Sequence, residues 1–343
     1  MKVDSVTVAV PVLNGGERFL ELLRAVGSQR NDAGVEFELL IVDSGSTDGS
    51  LEAARGAGAR VIEIDKSTFQ HGRTRNLAMS EARGDVVALL TDDSAPAGPG
   101  WLDAIVSSFE LADDVALVFG PQLALPEHSL AVRREMLDHF AAWSATNESP
   151  VIQRVEQTDA GRADYDERQG WYIFFSDANG AVARWAWEQH PYEEVPYAED
   201  QLIARSMIEA GFAKVFAPGA AVMHSHDYPG LGWLHRYFDD FRGLHEVMGY
   251  RSSIGMRSGV RAVIGLTRAD RAFMRSEGVG GFELLRLTAL SVRRHAFRVL
   301  GEWTAARADR LPERVTGWLS LEGRPGFSPA PSRGGPLVGS KRG

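Results

Sequence analysis

The 343-residue chain contains no cysteine. That excludes disulfides, thiolate metal ligands and cysteine nucleophiles, and it fits a reducing, cytoplasmic location. No run reaches the roughly 18–20 apolar residues of a membrane span. The opening M-K-V-D-S-V-T-V-A-V-P-V does not have the form of a signal peptide, because Asp4 and Pro11 interrupt a run that is already too short. No G-x-G-x-x-G fingerprint follows the first apolar stretch, which speaks against a dinucleotide dehydrogenase. Internal repeats are also missing. What remains is ordinary globular composition, 44% hydrophobic and 24% charged, enough for one large domain or two modest ones.

The net charge of −9 is unevenly placed. Residues 251–343 carry 17 Lys and Arg against 7 Asp and Glu, so the acidic excess lies entirely in the first 250 residues. An acidic body with a basic C-terminal region suits contact with an anionic surface, although Arg-rich solvated helices share that composition.

Apolar periodicity organises the first two-thirds into alternating strands and helices. Ser5–Val12, Phe37–Val42, Arg60–Ile64, Val86–Leu90 and Val115–Phe119 read as buried strands. Glu17–Gln29, Ser50–Gly56, Arg73–Arg83 and Leu130–Trp143 read as helices. Asn147–Arg168 reads as a polar loop, and Gly170–Phe175 and Gly180–Arg184 as strands. Asp200–Ala210 reads as a helix, followed by short strands at Lys214–Ala217 and Ala221–His224. This alternation predicts an α/β fold with a largely parallel sheet, whose ligands bind beyond the carboxyl ends of the strands. After Pro229 the texture changes to amphipathic helices at Leu231–Met248, Ile254–Leu266 and Phe282–Ala308. From Arg324 the chain is rich in Gly, Pro and Ser and is expected to be disordered. The expected division is a catalytic domain over 1–228, a helical region over 229–323 and a tail over 324–343.

Three predicted strands end at an aspartate: Asp43, Asp65 and the pair Asp92/Asp93. One such residue is a turn former; three at neighbouring strand ends mark a binding edge. Asp92 and Asp93 can hold a hard divalent cation that completes its shell with substrate phosphates, or can simply form an acidic turn. In I-V-D-S-G-S-T-D-G-S, Asp43 can accept from a base or a ribose, while Ser46 and Asp48 suit helix N-caps. In F-Q-H-G-R-T-R-N, the helix start with His71, Arg73 and Arg75 can help hold a diphosphate, or can be a solvated basic turn. Glu199 and Asp200 open a helix, where negative charge suits the dipole and where one of them can serve as a general base. His224 and His226, at alternate positions after a short strand, are candidate ligands.

The order of these segments carries more than any one of them. V-P-V-L-N, I-V-D-S-G-S-T-D, H-G-R-T-R-N, L-T-D-D-S-A-P, A-E-D-Q and V-M-H-S-H-D-Y occur in that sequence from about Val6 to Gly249. In this the chain resembles the inverting family-2 glycosyltransferases of the GT-A fold, a Rossmann-like nucleotide-diphospho-sugar transferase architecture. Within them it resembles bacterial rhamnosyltransferases, R-Y-F-D-D-F after H-S-H adding to the likeness. The resemblance implies a donor site with Asp43 on the nucleotide and Pro11 and Asn14 near base and ribose; Asp65, from its strand end, Arg75, from the basic helix start, and Asp92, which sits between Thr91 and Asp93, are further donor candidates. Thr91–Asp93 stands where the family has D-x-D, with Thr91 in the first place, so Asp93 corresponds to the metal ligand. His224 or His226 corresponds to the last ligand, His224 fitting the spacing from Asp200 better. Asp200 matches the catalytic base, and Glu199, Gln201 and Asn179 are acceptor or supporting positions. The implied cofactor is Mg²⁺ or Mn²⁺. The implied donor is dTDP-β-L-rhamnose and the acceptor a cell-envelope glycan or polyprenyl-linked glycolipid, with a peripheral contact on the inner face of the membrane and no nucleic-acid partner. The alternatives are a UDP-hexose donor, a sugar-1-phosphate nucleotidyltransferase, and a non-catalytic nucleotide-sugar binding module. The missing Gly-rich basic signature in V-P-V-L-N-G-G-E disfavours the nucleotidyltransferase.

Overall fold

The computed structural model describes residues 2–144, 149–321 and 323–324. The expected tail lies outside the described residues except for its first position, Arg324. The described residues form two compact units, one within 2–125 and 138–225 and the other within 126–137 and 226–324.

The first unit is built on an eight-stranded sheet. In chain order its strands are β1 (Ser5–Val12), β2 (Glu36–Asp43), β3 (Arg60–Glu63), β4 (Val86–Leu90), β6 (Val115–Phe119), β8 (Val151–Gln153), β9 (Asn179–Ala183) and β10 (Ala213–Phe216). Three short strands, β5 (Ala95–Pro96), β7 (Gln122–Leu123) and β11 (Val222–Met223), form a second sheet in the order β5-β11-β7. The large sheet runs β3-β2-β1-β4-β9-β6-β10-β8. Its first four strands are parallel, while β9 is antiparallel to both neighbours and β8 is an antiparallel edge. V-V-A-L-L of β4 and V-A-L-V-F of β6 are buried at every position, as strands covered on both faces must be.

Register decides what meets at the sheet edge. Val12 pairs with Asp43, and Leu90 pairs with Asn179, so the carboxyl ends of β1, β2 and β4 and the start of the reversed β9 share one edge. Phe119 pairs with Gly180, which brings the end of β6 there too. A Cβ on Gly120 would stand 1.9 Å from the Ala220 carbonyl oxygen, so only glycine permits this close approach.

The helices of this unit are α1 (Gly16–Gly27), α2 (Ser50–Gly56), α3 (His71–Glu81), α4 (Trp101–Phe109), the later part of α5 (Leu130–Ser144), α6 (Asp159–Ile173), α7 (Arg184–Trp187) and α8 (Glu199–Glu209). Helix α6 corrects the sequence reading, which gave a loop over 147–168 and a strand over 170–175. Thr158 caps it, its Oγ1 accepting from the Gly161 N–H at 3.0 Å, and a kink at Arg168 separates its polar and aromatic halves. The aromatic run W-Y-I-F-F imitates a strand. Instead Lys214, a fully buried lysine of β10, donates through Nζ to the carbonyl oxygens of Tyr172 and Phe174. Burial drives the pKa of Lys214 well below its usual value.

The second unit holds the start of α5, then α9 (Gly232–Met248), α10 (Met256–Ser276), α11 (Gly281–Ala305) and α12 (Glu313–Leu319). Leu234, Phe238, Ala305, Ala308 and Leu319 form its apolar centre. Asp270, fully buried on α10, accepts from Arg134, Ser291 and His295. Burial pushes its pKa up, but those three hydrogen bonds outweigh it and hold the carboxyl low. The sequence reading ended α10 near Leu266. The helix runs a further ten residues because Thr267, Asp270 and Met274 continue the buried face with mostly polar groups.

Candidate active site

Two groups of ionisable side chains gather at the carboxyl edge of the sheet. The first begins with the acid pair after β4. The Thr91 hydroxyl donates to Asp93 Oδ1 at 2.7 Å, so the residue in the first place of T-D-D orients the carboxylate in the third. His224 Nε2 lies 3.5 Å from the same oxygen. His224 is positioned by β11, its N–H donating to the Leu123 carbonyl at 3.0 Å. Its Nδ1 lies 2.9 Å from Gln122 Oε1, and Gln122 Nε2 donates to Ser176 Oγ at 3.0 Å. Gln122 Oε1 can accept from Nδ1–H, which is the tautomer whose Nε2 lone pair a cation needs. Ser225 Oγ, accepting from the Leu125 N–H at 2.9 Å, pins the segment just before His226. Asp93, His224 and His226 each offer a ligand atom, and these lie within 4.8 Å of one another. One carboxylate and two imidazoles suit a divalent transition metal with open positions for water or phosphate oxygens. Asp92 faces inward, within 3.5 Å of the Leu13 N–H. Burial, and then the charge of Asp93, raises its pKa.

The second group is built by α3 and the entrance to α8. Arg75 is buried: its Nε is 3.3 Å from Asp177 Oδ2, and it donates to the carbonyls of Leu90 and Asp177 at 3.2 and 3.3 Å. It was expected on the donor diphosphate; the structure turns it inward as the counter-ion of Asp177. The rest of H-G-R-T-R-N holds the 192–200 segment. Asn76 donates to the Tyr192 carbonyl and accepts from the Tyr192 N–H, and Gln70 donates to the Val195 carbonyl. A Cβ on Gly72 would meet the Glu193 carbonyl at 2.2 Å, so this helix start has been cleared for a neighbouring backbone.

That segment delivers Glu199 and Asp200 through Ala198, which sits at φ 58°. A left-handed alanine is strained by roughly 1–2 kcal/mol, and the other such non-glycine residue among those described is Asn14, at φ 54°. Backbone strain of this kind concentrates at functional sites. Asp200 receives the N–H groups of Gln201 and Asp177. Burial, then Glu199, then Asp177 raise its pKa well above the usual carboxylate value. Glu199 is raised by burial as well. Asp177 is pushed up to about 6 by burial, against the pull of Arg75. The three carboxyls face one buried guanidinium, with His71 Nδ1 4.0 Å from Glu199 Oε1, and the surplus of acid favours retention of protons. We expect Arg75→Met to cost about 3–5 kcal/mol in a urea titration, because it strands a buried carboxylate. Adding Asp177→Asn should recover much of that loss.

The remaining candidate residues sit as follows. Asp43 is buried and accepts from the N–H groups of Gly45 and Ser46 at 2.9 and 3.0 Å, shaping the turn after β2. Asn14 accepts from the Thr47 N–H at 2.8 Å and ties the ends of β1 and β2 together. Pro11 lies in β1 opposite Val42. Asp65 is exposed and caps the turn at Lys66–Thr68 through Ser67. Gln201 follows Asp200 in the first turn of α8. Asn179 is buried and fully engaged, accepting from Trp101 Nε1 at 3.0 Å and donating to the Pro121 and Ala220 carbonyls, a clamp on the framework. Sequence reasoning missed Asp177 and Gln122. The only signal for Asp177 was an aspartate two residues before a buried strand. Gln122 left none, since its role comes from packing.

A mixed sheet with an acid pair at the end of β4, and a helical region after it, has the architecture of the GT-A fold. Residues 7–150 match the model for "Glycosyl transferase family 2". The chain is 31% identical over 240 residues to the O-antigen chain rhamnosyltransferase WbaN of Salmonella anatum, covering 68% of this chain and 70% of that one. It is 30% identical over 241 residues to RfbN of Salmonella typhimurium, with the same coverage. The chain therefore belongs to glycosyl transferase family 2. In fold it is similar to a mannosyltransferase from Pyrobaculum calidifontis, solved with GDP-Man and Mn²⁺ (TM-score 0.54, 16% identity, 89% and 86% of the two chains). It is also similar to S. aureus TarS 1-349 in complex with UDP (TM-score 0.50, 14% identity, 89% and 93%).

Proposed function

We propose that this glycosyltransferase moves L-rhamnose from dTDP-β-L-rhamnose to a hydroxyl of a cell-envelope glycan or glycolipid, with inversion at the anomeric carbon. The observation that carries the mechanism is Asp200: a partly buried carboxylate with raised proton affinity, held by two backbone N–H groups at the edge where the sheet presents Asp93 and His224. The sugar rests on the two rhamnosyltransferase relatives.

An acceptor hydroxyl must lose its proton as it attacks. Asp200 takes that proton in the transition state, and the transfer removes one negative charge from a cluster that already carries too many. The raised proton affinity brings the base closer to the pH at which it works. The backbone N–H groups of Gln201 and Asp177 hold Asp200, and Asp177 is in turn paired with Arg75. Asp43, Asn14 and Pro11 shape the turn at which the nucleotide is received. Attack opposite the leaving group needs no covalent enzyme intermediate, so a single base suffices; alignment of donor and acceptor supplies much of the rate. Asp93, His224 and His226 would hold the divalent cation, their imidazole nitrogens suiting Mn²⁺ better than Mg²⁺. When bound, it supplies positive charge to the departing diphosphate.

The test is a donor panel of dTDP-β-L-rhamnose, UDP-galactose, UDP-N-acetylglucosamine and GDP-mannose, with and without EDTA, read as free nucleoside diphosphate. We expect release from dTDP-β-L-rhamnose, abolished by EDTA, and an α-linked product by NMR. Faster release from a UDP-hexose would reassign the donor.

A further inference from the structure

Two helices of the second unit carry an exposed surface of arginines and large apolar side chains. Helices α10 and α11 pack antiparallel, Gly259 against Val299 and Asp270 against Ser291 and His295. On α10, Arg257, Arg261, Arg268 and Arg275 are all exposed. At 100° per residue they fall within one narrow stripe. Among the described residues none of these four arginines makes an ion pair, and the helix's one acid, Asp270, is buried on the opposite face. Beside the stripe stand Met256, 87% exposed, and then Val260 and Ile264 at four-residue steps. On α11, exposed apolar side chains recur at helical spacing along one face: Phe282 (81% exposed), Leu285 (60%), Val292 and Trp303. Arg293 is exposed on the same side.

We infer that the outer face of the α10–α11 pair docks on an anionic lipid bilayer, its arginines at the headgroups and its apolar side chains among the upper acyl carbons. Basic residues flanking large apolar groups on a surface helix are the composition of an interfacial contact. Among the described residues no helix is long and apolar enough to cross a membrane, so the contact lies on the surface. A second copy of the chain is the competing occupant, since the α11 ridge has nearly heptad spacing. Charge decides against it. A two-fold interface sets each patch against itself, which would oppose five unpaired arginines with five more. An anionic membrane answers both halves of the surface. The inference stands independently of the donor and the base.

The experiment is co-sedimentation of the full chain with vesicles of phosphatidylcholine alone or with 30% phosphatidylglycerol. Binding is expected only to the anionic vesicles and should weaken steeply as salt is added. The triple variant Arg257→Gln, Arg261→Gln, Arg268→Gln should partition on the order of 100-fold more weakly, at roughly fivefold per arginine. The double variant Phe282→Ser, Leu285→Ser should lose at least about tenfold through its apolar part. All five side chains are exposed, so melting temperatures should not change. Equal binding to neutral vesicles, no binding to either, or unchanged binding by the apolar variant would overturn the inference, the last result leaving only a polyanion site. A dimer in sedimentation equilibrium that the Phe282/Leu285 variant dissociates would give the face to a second copy instead.

Discussion

Asp200→Asn is expected to keep donor affinity within about twofold while turnover falls by roughly 10²–10⁴, the range for loss of a general base. The same variant should melt higher than the parent, and this separates catalysis from folding. The sign follows from the direction of the shift. The pKa of Asp200 is raised in the folded state, by burial first and by Glu199 and Asp177 after it. Between the unfolded value and the folded one, the native state binds more protons than the unfolded chain. Stability therefore falls as pH rises through that window, and above it the charged carboxylate weakens the fold. Asparagine keeps the shape and removes the charge. A structural helix-start residue would behave in the opposite way: turnover would survive, and loss of the charge near the α8 N-terminus would lower the melting point.

The pH profile gives a second reading of the same carboxylate. The rate should rise with pH along an acid limb placed above the ordinary carboxylate range, because only ionised Asp200 accepts a proton. Glu199→Gln removes one of the charges that holds the proton on, so the limb should move to lower pH. Asp177, Glu199 and Asp200 titrate as a set, and the measured values belong to the cluster as a whole.

Much of this site can be read in the sequence because the sheet edge is written locally. A buried strand announces itself as an apolar run, and the first polar residue after it is delivered to the edge. Asp43, Asp92 and Asp93 are legible in that way, and the short β11 run announces His224. The order of the segments adds the family. What stays hidden depends on chain reversal and on long-range pairing. Because β9 runs antiparallel, Asp177, which precedes it, reaches the same edge as residues that follow the other strands. Its partner Arg75 lies 102 positions away and looks, in sequence, like a phosphate-binding arginine. The aromatic end of α6 imitates a strand because period-2 and period-3.6 patterns cannot be separated over five bulky residues. α10 is too short in the sequence reading for a related reason: its buried face includes Asp270, an acid that only Arg134, Ser291 and His295 make tolerable.

Asp93→Ala carries the second large effect. The three donor groups near 224 leave no spare carboxylate at the cation position, since Asp92 is turned to the Leu13 N–H. Nucleoside diphosphate binding in Mn²⁺ should weaken by at least about 100-fold, and EDTA should then make no further difference. In EDTA, parent and variant should bind the nucleotide equally, because the turn at Asp43 and Asn14 does not involve Asp93. Gln122→Leu refines the test. Its Oε1 fixes the His224 ring, and loss of such an orienting partner typically costs 10–100-fold in metal affinity, so the variant should fall between the parent and Asp93→Ala. If Asp93→Ala keeps full Mn²⁺ dependence while Asp92→Ala loses it, the cation sits one residue earlier than the geometry of His224 implies. If neither variant responds to EDTA differently from the parent, the cation is held by the substrate, and the Asp93–His224 pair serves only to join β4 to β11.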